Sequence, residues 1–462
     1  MTSQPIVNSS IFRAYDIRGV VGDTLTVDSV YAIGRAIGSL ALDSGEKAIA
    51  VGRDGRLSGP LLATALCEGI QSTGCDVINL GVIPTPVLYY ATHVLATRSG
   101  VMLTGSHNPP DYNGLKIVIQ GKTLAEADIR DLYHRIIENR LCHGEGSLQE
   151  VEILEHYLTQ VTSTVTLTRP LKIVVDCGNS VPGIAAPELY RRLGCDVHEL
   201  FCDVDGHFPN HHPDPSQAEN LHDLIHKVQE VGADLGLAFD GDGDRLGVVT
   251  KQGNIIWPDR QLMLFAKAIL AKNPGAKIIY DVKCTNNLAT VIRAHGGEPI
   301  MWKTGHSLIK LKLAETEALL AGEMSGHIFI KDRWYGFDDA IYAGARLLEI
   351  LAAETLDIDA LFAGIPDSVN TPELKITVSE ENKFHIMEKL VARADFRTAQ
   401  QVVTIDGLRV NFTDGWGLVR PSNTTPCLVL RFEADSETVL TKIQDIFREF
   451  ILAVEPGLVL PF

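Results

Sequence analysis

Two short segments of the chain carry the residue types best suited to catalysis. The segment TGSHNPPDYNGLKI, residues 104–117, places the hydroxyl of Ser106 in a tight polar loop. The segment DGDGDR sets three carboxylates at alternate positions, Asp240, Asp242 and Asp244, and alternate residues of an extended loop point the same way. Three hard oxygen ligands suit Mg²⁺, which keeps part of its coordination shell for water or phosphate oxygens. A serine hydroxyl together with a Mg²⁺ cage suggests an enzyme that carries phosphate on serine.

The aspartate segment has two other interpretations. An EF-hand needs an acidic residue at the twelfth position of its loop, and counting from Asp240 that position is Lys251, so the EF-hand is excluded. An ordinary acidic turn stays open, because Asp and Gly are common turn residues. The apolar stretches LGLAF before the segment and LGVV after it favour a loop between two strands. The serine segment alone is also compatible with an ordinary turn.

Composition narrows the class of protein further. A chain of 462 residues with 45% hydrophobic and 21% charged residues is typical of a globular protein of about three domains. The formal net charge of −17 argues against nucleic acid and anionic membranes as partners. The sequence has no apolar run of the roughly 20 residues that a membrane span requires, and its N-terminal MTSQPIVNSS lacks the features of a signal peptide. We therefore expect a cytoplasmic protein.

The cysteines agree with this expectation. There are eight, scattered over positions 67, 75, 142, 177, 195, 202, 284 and 427, and they form no CxxC pair. Buried thiols in a reducing cytosol explain this pattern better than a zinc site or a disulfide.

One structural unit recurs three times along the chain. Each copy has an apolar strand-like segment, a polar loop, a helical segment and a second apolar segment, at residues 47–81, 171–201 and 276–303. Short apolar runs of this kind are typical of buried parallel strands. The repeats predict three α/β domains of similar topology, in which ligands gather at the carboxyl ends of the strands.

The last part of the chain follows a different pattern. The segment ELKITVSE alternates as a strand does, and TIDGLRVNFTDGWGLVR has the form of a hairpin. The final segment ETVLTKIQDIFREFILAV predicts a helix. Together these features predict a small α+β domain.

Five motifs resemble those of one known family. They are FRAYDIRG (12–19), TGSHNP (104–109), DGDGDR (240–245), GEMSGH (322–327) and RPSNTTP (420–426). In type and order they resemble the motifs of the α-D-phosphohexomutase superfamily, and within it those of the bacterial phosphomannomutase/phosphoglucomutase group, over essentially the whole chain. There are two departures. Gly105 stands where the family usually has alanine and is expected to loosen the serine loop, and Pro421 is expected to stiffen the C-terminal phosphate loop.

The resemblance implies three similar mixed-sheet α/β domains and a C-terminal α+β domain around a central active-site cleft. The implied domains are residues 1–152 with the phosphoserine loop, 153–254 with the metal-binding loop, 255–366 with the sugar-recognition loop and 367–462 with the phosphate-binding loop. The three repeats and the change of pattern near the end of the chain agree with this division.

The candidate catalytic residues follow from the motifs. Ser106 is the expected phosphoryl donor and, as phosphoserine, a fourth ligand of the metal beside the three aspartates. Lys116 and Arg245 lie next to these loops in the sequence and are natural partners of the transferring group, because Lys acts as a point charge and Arg grips two oxygens at once. His306 and His327 are candidate proton carriers, because histidine titrates near neutrality, although either is equally compatible with a structural role.

The remaining motifs supply candidate substrate contacts. In the resembling family the GEMSGH loop reads sugar hydroxyls, and the RPSNTTP loop, with its charge, hydroxyl, amide and backbone donors, would form an anion nest for the phosphate that is not reacting. Lys283, in DVKCT, is a further candidate. The expected substrate contacts are Tyr15, Arg18, Lys283, Glu323, Ser325, Arg420, Ser422, Asn423 and Thr424.

These assignments imply a phosphohexomutase that interconverts hexose 1-phosphate and hexose 6-phosphate, of mannose, glucose or both, for the synthesis of nucleotide sugars and polysaccharides. Mg²⁺ is the expected cofactor, and hexose 1,6-bisphosphate the expected intermediate and activator. Small phosphosugars are the expected partners of a monomer, with a dimer left open. Three alternatives remain. The first is a glucosamine or pentose mutase, and the glucosamine enzymes favour Gln in place of Met324. The others are a non-catalytic sugar-phosphate-binding protein on the same scaffold and a Mg²⁺ phosphatase.

Overall fold

A computed structural model describes residues 7–423 and 425–462 of the chain. Within these residues the strands form four sheets, and each sheet is built from one consecutive stretch of sequence. Three mixed sheets covered by helices come first, and an antiparallel sheet comes last. This arrangement confirms the predicted fold class.

The first domain contains the strands β1 (Ile17–Val20), β2 (Ala48–Arg53), β3 (Asp76–Val82), β4 (Gly100–Leu103), β5 (Tyr112–Ile119), β6 (Lys122–Thr123) and β7 (Leu148–Glu150). Its helices are α1 (Val27–Asp43), α2 (Gly59–Gln71), α3 (Thr85–Val94) and α4 (Ala127–Ile137). The sheet order is β1-β5-β4-β2-β3-β7, and β6 pairs with β5. The pairs of β2 with β3 and β4 are parallel, whereas β5 is antiparallel to β1 and β4.

The second domain begins with α5 (Leu154–Thr164) and also contains α6 (Ala186–Arg192) and α7 (His222–Val231). Its strands are β8 (Lys172–Asp176), β9 (Asp196–Leu200), β10 (Leu235–Phe239), β11 (Leu246–Thr250) and β12 (Ile255–Ile256), in the sheet order β12-β11-β10-β8-β9. Every residue of β10 is buried, as expected for a central parallel strand with both faces covered.

The third domain contains α8 (Pro258–Leu270), α9 (Asn286–Ala294), α10 (His306–Thr316), α11 (Ala340–Ala353) and α12 (Ile358–Ala363). Its strands are β13 (Lys277–Asp281), β14 (Glu298–Trp302), β15 (Leu320–Gly322) and β16 (Ile328–Ile330), in the order β14-β13-β15-β16. The three predicted repeats are the units β2-α2-β3, β8-α6-β9 and β13-α9-β14, and the two strands of each unit are parallel. The predicted repeat is therefore confirmed.

The fourth domain contains β17 (Val369–Asn370), β18 (Leu374–Thr377), β19 (Gln401–Val403), β20 (Leu408–Phe412), β21 (Gly415–Pro421) and β22 (Cys427–Ala434), with α13 (Asn382–Ala392) and α14 (Glu437–Val454). All strand pairs in its sheet are antiparallel. The hairpin β20-β21 and the last helix confirm the predicted α+β pattern.

One apolar cluster extends through the first three domains, beside smaller clusters within each of them, and the fourth domain has its own main core. Tyr90 of the first domain, Leu237 of the second and Leu348 of the third belong to the same cluster of buried side chains. The main core of the fourth domain is centred on residues such as Phe432 and Phe447. A small cluster of Val282, Trp416 and Leu418 joins the third domain to the fourth. Burial of apolar surface therefore stabilises the first three domains as one body.

Polar contacts from buried cations attach the fourth domain to the third. Nη1 of Arg409 donates to the carbonyl oxygens of Val282 at 2.5 Å and Cys284 at 2.8 Å, and its guanidinium carbon lies 3.7 Å from the centre of the Trp416 ring. Arg431 donates in the same way to the carbonyl of Lys283. These contacts fix the fourth domain against the loop that follows β13.

A buried carboxyl at the start of α11 should make stability depend on pH. Asp339 accepts the Tyr342 N–H at 2.8 Å, the Tyr157 hydroxyl at 3.0 Å and the Trp334 indole N–H at 3.1 Å. Burial raises the pKa of Asp339 to about 7, despite these bonds. The folded state therefore holds this proton more tightly than the unfolded chain, so its contribution to stability is present below about pH 4 and is lost as the pH rises towards 7.

The Asp339→Asn variant tests this expectation, because asparagine keeps the cap but does not ionise. Denaturant unfolding of both proteins between pH 5 and pH 8 should show the free energy of unfolding of the wild type falling relative to that of the variant. A difference between the two proteins that does not change with pH would contradict the expectation.

Two further properties of the described residues bear on the sequence analysis. No described helix is both long enough and apolar enough to cross a membrane. All eight cysteines are free thiols, and all except Cys142 and Cys202 are buried.

Candidate active site

Three loops in equivalent places of the first three domains meet at one centre. In each domain a parallel strand is followed directly by an antiparallel one, as β4 by β5, β10 by β11 and β15 by β16. The connecting loops carry Ser106, the segment 240–245 and the segment 323–327. These loops leave from the carboxyl ends of the parallel strands, which is where ligand sites of α/β sheets lie.

Ser106 is buried in the first of these loops, with 2% of its surface exposed. Its φ of 48° is left-handed, a conformation that is uncommon outside glycine. Its N–H donates to Thr104 Oγ1 at 2.8 Å, and its hydroxyl donates to Asp240 Oδ2 at 2.8 Å. His107 Nδ1 lies 3.2 Å from the same hydroxyl. The loop thus directs the Ser106 hydroxyl at the first aspartate of the second loop.

The three aspartates form a compact buried cluster. Asp240, Asp242 and Asp244 are fully buried, and one ligand oxygen of each lies within 4.8 Å of the other two. The Oδ1 atom of Asp240 accepts the N–H groups of Gly243 at 3.1 Å, Asp244 at 3.0 Å and Arg245 at 3.1 Å, which curls the loop around it. Burial and the two neighbouring carboxylates raise the pKa of Asp240 well above its usual value.

Lys116 on β5 is the cation nearest to these carboxylates. Its ammonium group donates to Asp242 at 2.7 Å and to Asp244. The Thr85 hydroxyl donates to the same Asp242 oxygen at 2.5 Å. Burial alone would lower the pKa of Lys116, but the neighbouring carboxylates raise it overall, so the ammonium group stays charged. One ammonium charge offsets only part of the charge of three carboxylates.

Two carboxylate oxygens remain available for a metal ion. In the part of the chain that the structure describes, Asp242 Oδ1 and Asp244 Oδ1 are buried without a hydrogen-bond partner. An unpaired oxygen of a buried carboxylate is costly unless a cation lies against it. The residues present therefore fit a divalent cation that prefers oxygen ligands.

Arg245 and His327 join the second of these loops to the third. Arg245 Nε donates to His327 Nε2 at 3.2 Å. On the other side of the ring, His327 Nδ1 lies 3.4 Å from Asp244 Oδ1 and 3.2 Å from Asp338 Oδ2. The structure thus brings two predicted catalytic residues against the aspartate cluster. Asp338 was not identified from the sequence, where its only signal is a pair of acids directly before α11.

His306 lies beside His327 at the start of α10. The two rings are stacked, with centroids 5.4 Å apart. His306 Nδ1 lies 3.5 Å from Asp338 Oδ2 and 3.4 Å from Lys310 Nζ. Burial and the Lys310 charge lower the pKa of His306 well below its usual value, so the ring is neutral near pH 7.

The serine loop is surrounded by cations. Arg18 lies on β1, and its guanidinium donates to Asp16 Oδ2 at 2.5 Å. The pKa of His107, next to Ser106, lies well below its usual value because the ring is buried and because Arg245, Arg18 and Lys116 lie around it. The three predicted cations therefore surround the loop of the predicted phosphoryl donor.

The sugar loop and Lys283 lie near the boundary with the fourth domain. Glu323 is buried and accepts the N–H of Gly305, and burial raises the pKa of its carboxyl. Ser325 is half-buried in the same loop. Lys283 Nζ donates to Glu373 Oε1 at 2.5 Å, a contact from the third domain to the fourth. Glu373 was not identified from the sequence.

Arg420 lies at the end of β21, where an acid already pairs with it. Its Nε and Nη2 atoms donate to the two carboxylate oxygens of Asp406 at 3.0 Å and 3.3 Å. Asp406 Oδ2 also accepts the N–H of Thr304 at 2.9 Å. Asp406, which was also not identified from the sequence, holds the guanidinium in place and links the fourth domain to the third.

Tyr15, in the first domain, contacts the phosphate-binding loop of the fourth domain. Its hydroxyl donates to the carbonyl of Thr304 at 2.6 Å and accepts a hydrogen bond from the amide of Asn423. Burial raises the pKa of this hydroxyl, so it remains protonated. Ser422 is buried in the same loop. The predicted contact Thr424 lies outside the described residues.

This arrangement has a definite chemical capacity. A buried serine hydroxyl beside an oxygen-rich cation site, with Lys and Arg around it, can accept, store and donate a phosphoryl group, because such transfer depends mainly on positioning and charge neutralisation. Four domains around such a centre define the architecture of a phosphohexomutase.

Comparison with known families agrees with this class. Models of the phosphoglucomutase/phosphomannomutase α/β/α domains I, II and III and of the C-terminal domain match residues 9–141, 153–253, 257–368 and 373–450. The chain therefore belongs to the phosphoglucomutase/phosphomannomutase family and is an isomerase of the phosphohexomutase class.

Several full-length relatives are highly similar to the chain. A phosphomannomutase/phosphoglucomutase of Pseudomonas aeruginosa is 58% identical over 458 residues, 99% of each chain. A phosphoglucomutase of Neisseria gonorrhoeae is 53% identical over 98% of this chain and 99% of its own length. The crystal structure of a phosphoglucomutase/phosphomannomutase family protein from Burkholderia thailandensis is 55% identical and matches with a TM-score of 0.95, over 99% of this chain and 100% of the other.

Proposed function

We propose that the enzyme interconverts hexose 1-phosphate and hexose 6-phosphate through phosphoserine 106. The contact of the Ser106 hydroxyl with Asp240, inside a buried carboxylate cluster, is the observation that carries this proposal. Phosphoserine donates its phosphate to O6 of hexose 1-phosphate, which gives hexose 1,6-bisphosphate. The bisphosphate turns end for end in the cleft, and Ser106 then takes back the phosphate from C1. This leaves hexose 6-phosphate and the phosphorylated enzyme.

Asp240, Asp242, Asp244 and phosphoserine 106 would hold the metal ion, which we propose to be Mg²⁺. When bound, Mg²⁺ supplies positive charge that neutralises phosphoryl oxygens. Two buried oxygens, Asp242 Oδ1 and Asp244 Oδ1, have no hydrogen-bond partner among the described residues, which supports this assignment. Hexose 1,6-bisphosphate would act as the activator, because it rephosphorylates a serine that has lost its phosphate.

Lys116 and Arg245 pair with the transferring phosphoryl group from two sides. Both side chains are buried or nearly so and lie beside the aspartate cluster. We assign the proton transfer to the histidine pair. His327 is favoured, because it contacts both Arg245 and Asp244, whereas His306 lies against Lys310 and Asp338.

Substrate recognition is divided between two loops. The loop with Glu323 and Ser325 would bind sugar hydroxyls, and the loop with Arg420 would bind the phosphate that is not reacting. The further proposed contacts are Tyr15, Arg18, Lys283, Ser422, Asn423 and Thr424. Since the relatives include enzymes named for both mannose and glucose, we propose that both epimers are substrates.

Rates on mannose, glucose and glucosamine phosphates test this assignment. We expect conversion of the first two without net release of inorganic phosphate. Preference for glucosamine phosphate would indicate the glucosamine mutase, and net phosphate release would indicate a phosphatase. Activity no higher than that of a Ser106→Ala control would indicate a non-catalytic binding protein.

The division of labour between the loops predicts two different kinetic effects. Arg420→Ala should weaken binding of glucose and mannose phosphates by a similar factor, because both carry the same phosphate. A lost charge-assisted contact is worth about 1.5–3 kcal/mol, or roughly ten- to a hundredfold in affinity. Glu323→Ala should instead penalise substrates according to their hydroxyls.

Steady-state rates on matched substrate pairs check both effects. A 3-deoxy substrate, which already lacks one hydroxyl, should lose little more from Glu323→Ala. If Arg420→Ala separated the epimers strongly while Glu323→Ala treated all sugars alike, the two loops would have been assigned the wrong way round.

We further propose domain boundaries near residues 152, 254 and 366, and a monomer located in the cytoplasm that binds neither nucleic acid nor membranes. The four separate sheets support the boundaries, and the net charge of −17 argues against nucleic acid and anionic membranes as partners. Sedimentation equilibrium at several protein concentrations tests the monomer, and a mass of twice the chain would establish the dimer instead.

A further inference from the structure

A buried arginine outside the five motifs binds the backbone of the serine loop. Arg56 follows β2, and only 1% of its surface is exposed. Its Nη2 atom donates to the carbonyl oxygens of Ser106 at 2.7 Å and Asn108 at 2.6 Å. Its Nη1 atom donates to those of Pro109 at 2.5 Å and Tyr112 at 3.0 Å. One guanidinium group therefore binds four carbonyls of a single short loop.

Asp54 also supports the loop, through the two residues that precede Ser106. Its Oδ2 atom accepts the Thr104 hydroxyl at 2.8 Å, the Gly105 N–H at 3.1 Å and Arg56 Nε at 3.2 Å. Its Oδ1 atom accepts the Arg56 N–H at 3.0 Å. Both Asp54 and Arg56 are buried, so these bonds are shielded from water.

The space that Arg56 fills explains the glycine at position 105. A Cβ atom added to Gly105 would overlap the Arg56 guanidinium. The expectation that this glycine loosens the loop was therefore wrong, because the guanidinium occupies the place of the missing methyl group and bonds to the backbone there. The same loop keeps Ser106 at a φ of 48°, a strained conformation for a residue other than glycine, which persists only where the surroundings enforce it.

We propose that Arg56 is a positioning residue for phosphoryl transfer. By binding the carbonyls of Ser106 and the residues that follow it, Arg56 enforces the left-handed backbone that directs the Ser106 hydroxyl at Asp240. Only arginine has a planar fork of donors that matches four carbonyls at once. This inference rests on the proposed role of Ser106 as the phosphoryl donor.

The variants Arg56→Ala and Arg56→Lys test the proposal by separating kcat from KM. A displacement of about 1 Å at the reacting group costs roughly a hundredfold in rate, so we expect kcat to fall by about that factor in Arg56→Ala and by less in Arg56→Lys. The KM for glucose 1-phosphate should stay within about threefold, because the sugar and the distal phosphate bind elsewhere.

Arg346→Ala is the matched control. Arg346 is also buried and donates to the carbonyl of Asp332 and to the Tyr342 hydroxyl, but it lies on α11 outside the active site. This variant should lose thermal stability as Arg56→Ala does, yet keep the kcat of the wild type in its folded fraction. An unchanged kcat in folded Arg56→Ala, or a loss confined to KM, would overturn the positioning role.

A double-mutant cycle with Gly105→Ala gives a second readout. The new methyl group should displace the Arg56 guanidinium and lower kcat in the wild type, but cost little in Arg56→Ala, where the space is open. Equal costs in both backgrounds would overturn the proposal. If Arg56→Ala does not fold, Arg56→Lys and Gly105→Ala alone are decisive, and full kcat in both overturns it.

Phosphopeptide mapping of the wild type distinguishes the two ways of failing. Absence of phosphate from Ser106 in the active enzyme would overturn the proposed function itself. A phosphorylated Ser106 together with unchanged kcat in the Arg56 variants would overturn only the positioning role.

Discussion

The Ser106→Ala variant is expected to lose at least roughly a thousandfold in kcat, because the group that carries the phosphate is removed and the remaining residues cannot replace it. The buried hydroxyl lies 2.8 Å from Asp240, and Arg245, Arg18 and Lys116 lie around the same loop. It is therefore the group best placed for transfer. The measurements are the rate of mannose 1-phosphate conversion and the intact mass of the chain. The wild type should carry one phosphate on Ser106, and the variant none.

Ser180→Ala is the matched control for this prediction. The Ser180 hydroxyl is also buried, but it donates to the backbone carbonyls of Cys177 and, at 3.3 Å, of Asp240, whereas the Ser106 hydroxyl donates to the Asp240 carboxylate. This variant should keep the phosphate on Ser106 and most of the turnover. Phosphate on another serine of the active enzyme, with Ser106 bare, would contradict the mechanism.

The Asp242→Asn variant is expected to lose roughly a hundredfold or more in kcat and to bind Mg²⁺ more weakly. Asparagine keeps the shape of the side chain but removes one of three charges beside the phosphoryl group. It also removes the carboxylate that pairs with Lys116 at 2.7 Å, and whose second oxygen has no hydrogen-bond partner in the described part of the chain. Calorimetric titration of the metal-free protein with Mg²⁺ measures the binding independently of activity.

Asp176→Asn provides the comparison for the metal site. Asp176 is a buried acid at the end of β8 in the same domain, but it pairs with His211 at 3.0 Å instead of facing the cluster. Its loss should leave Mg²⁺ affinity unchanged. If Asp242→Asn kept full activity, or if the wild type worked equally well in excess chelator, the aspartate cluster would not be a metal site.

Most of the fold could be predicted from local patterns. The apolar strands of the three repeats and the hairpin of the last domain are short-range signals, and the structure confirms them as the units around β2, β8 and β13 and as β20-β21. The loops with Ser106, the aspartates and Glu323 could be placed for the same reason. Each loop directly follows an apolar strand, and the carboxyl end of that strand fixes where the loop lies.

The partners of the charged residues could not be predicted in this way. Arg56 is hydrogen-bonded to Ser106, which is 50 positions away in the sequence, and Lys283 to Glu373, which is 90 positions away. Long side chains reach partners that are distant along the chain, in the second case on another domain, and no local spacing reports such a contact. The same holds for Asp406, which pairs with Arg420 and at the same time accepts the Thr304 N–H of another domain.

The sequence by itself therefore determined the chemical groups and the strand ends that carry them. Ser106 and the three aspartates are defined by residue type and short spacing, because a hydroxyl and a set of alternate carboxylates need nothing distant to be recognised. Only the tertiary structure decided that Ser106 and Asp240, which are 134 positions apart in the sequence, are joined by a hydrogen bond. Packing of the first three domains on a common core is the physical reason, since it brings equivalent strand ends from separate domains to a single buried centre.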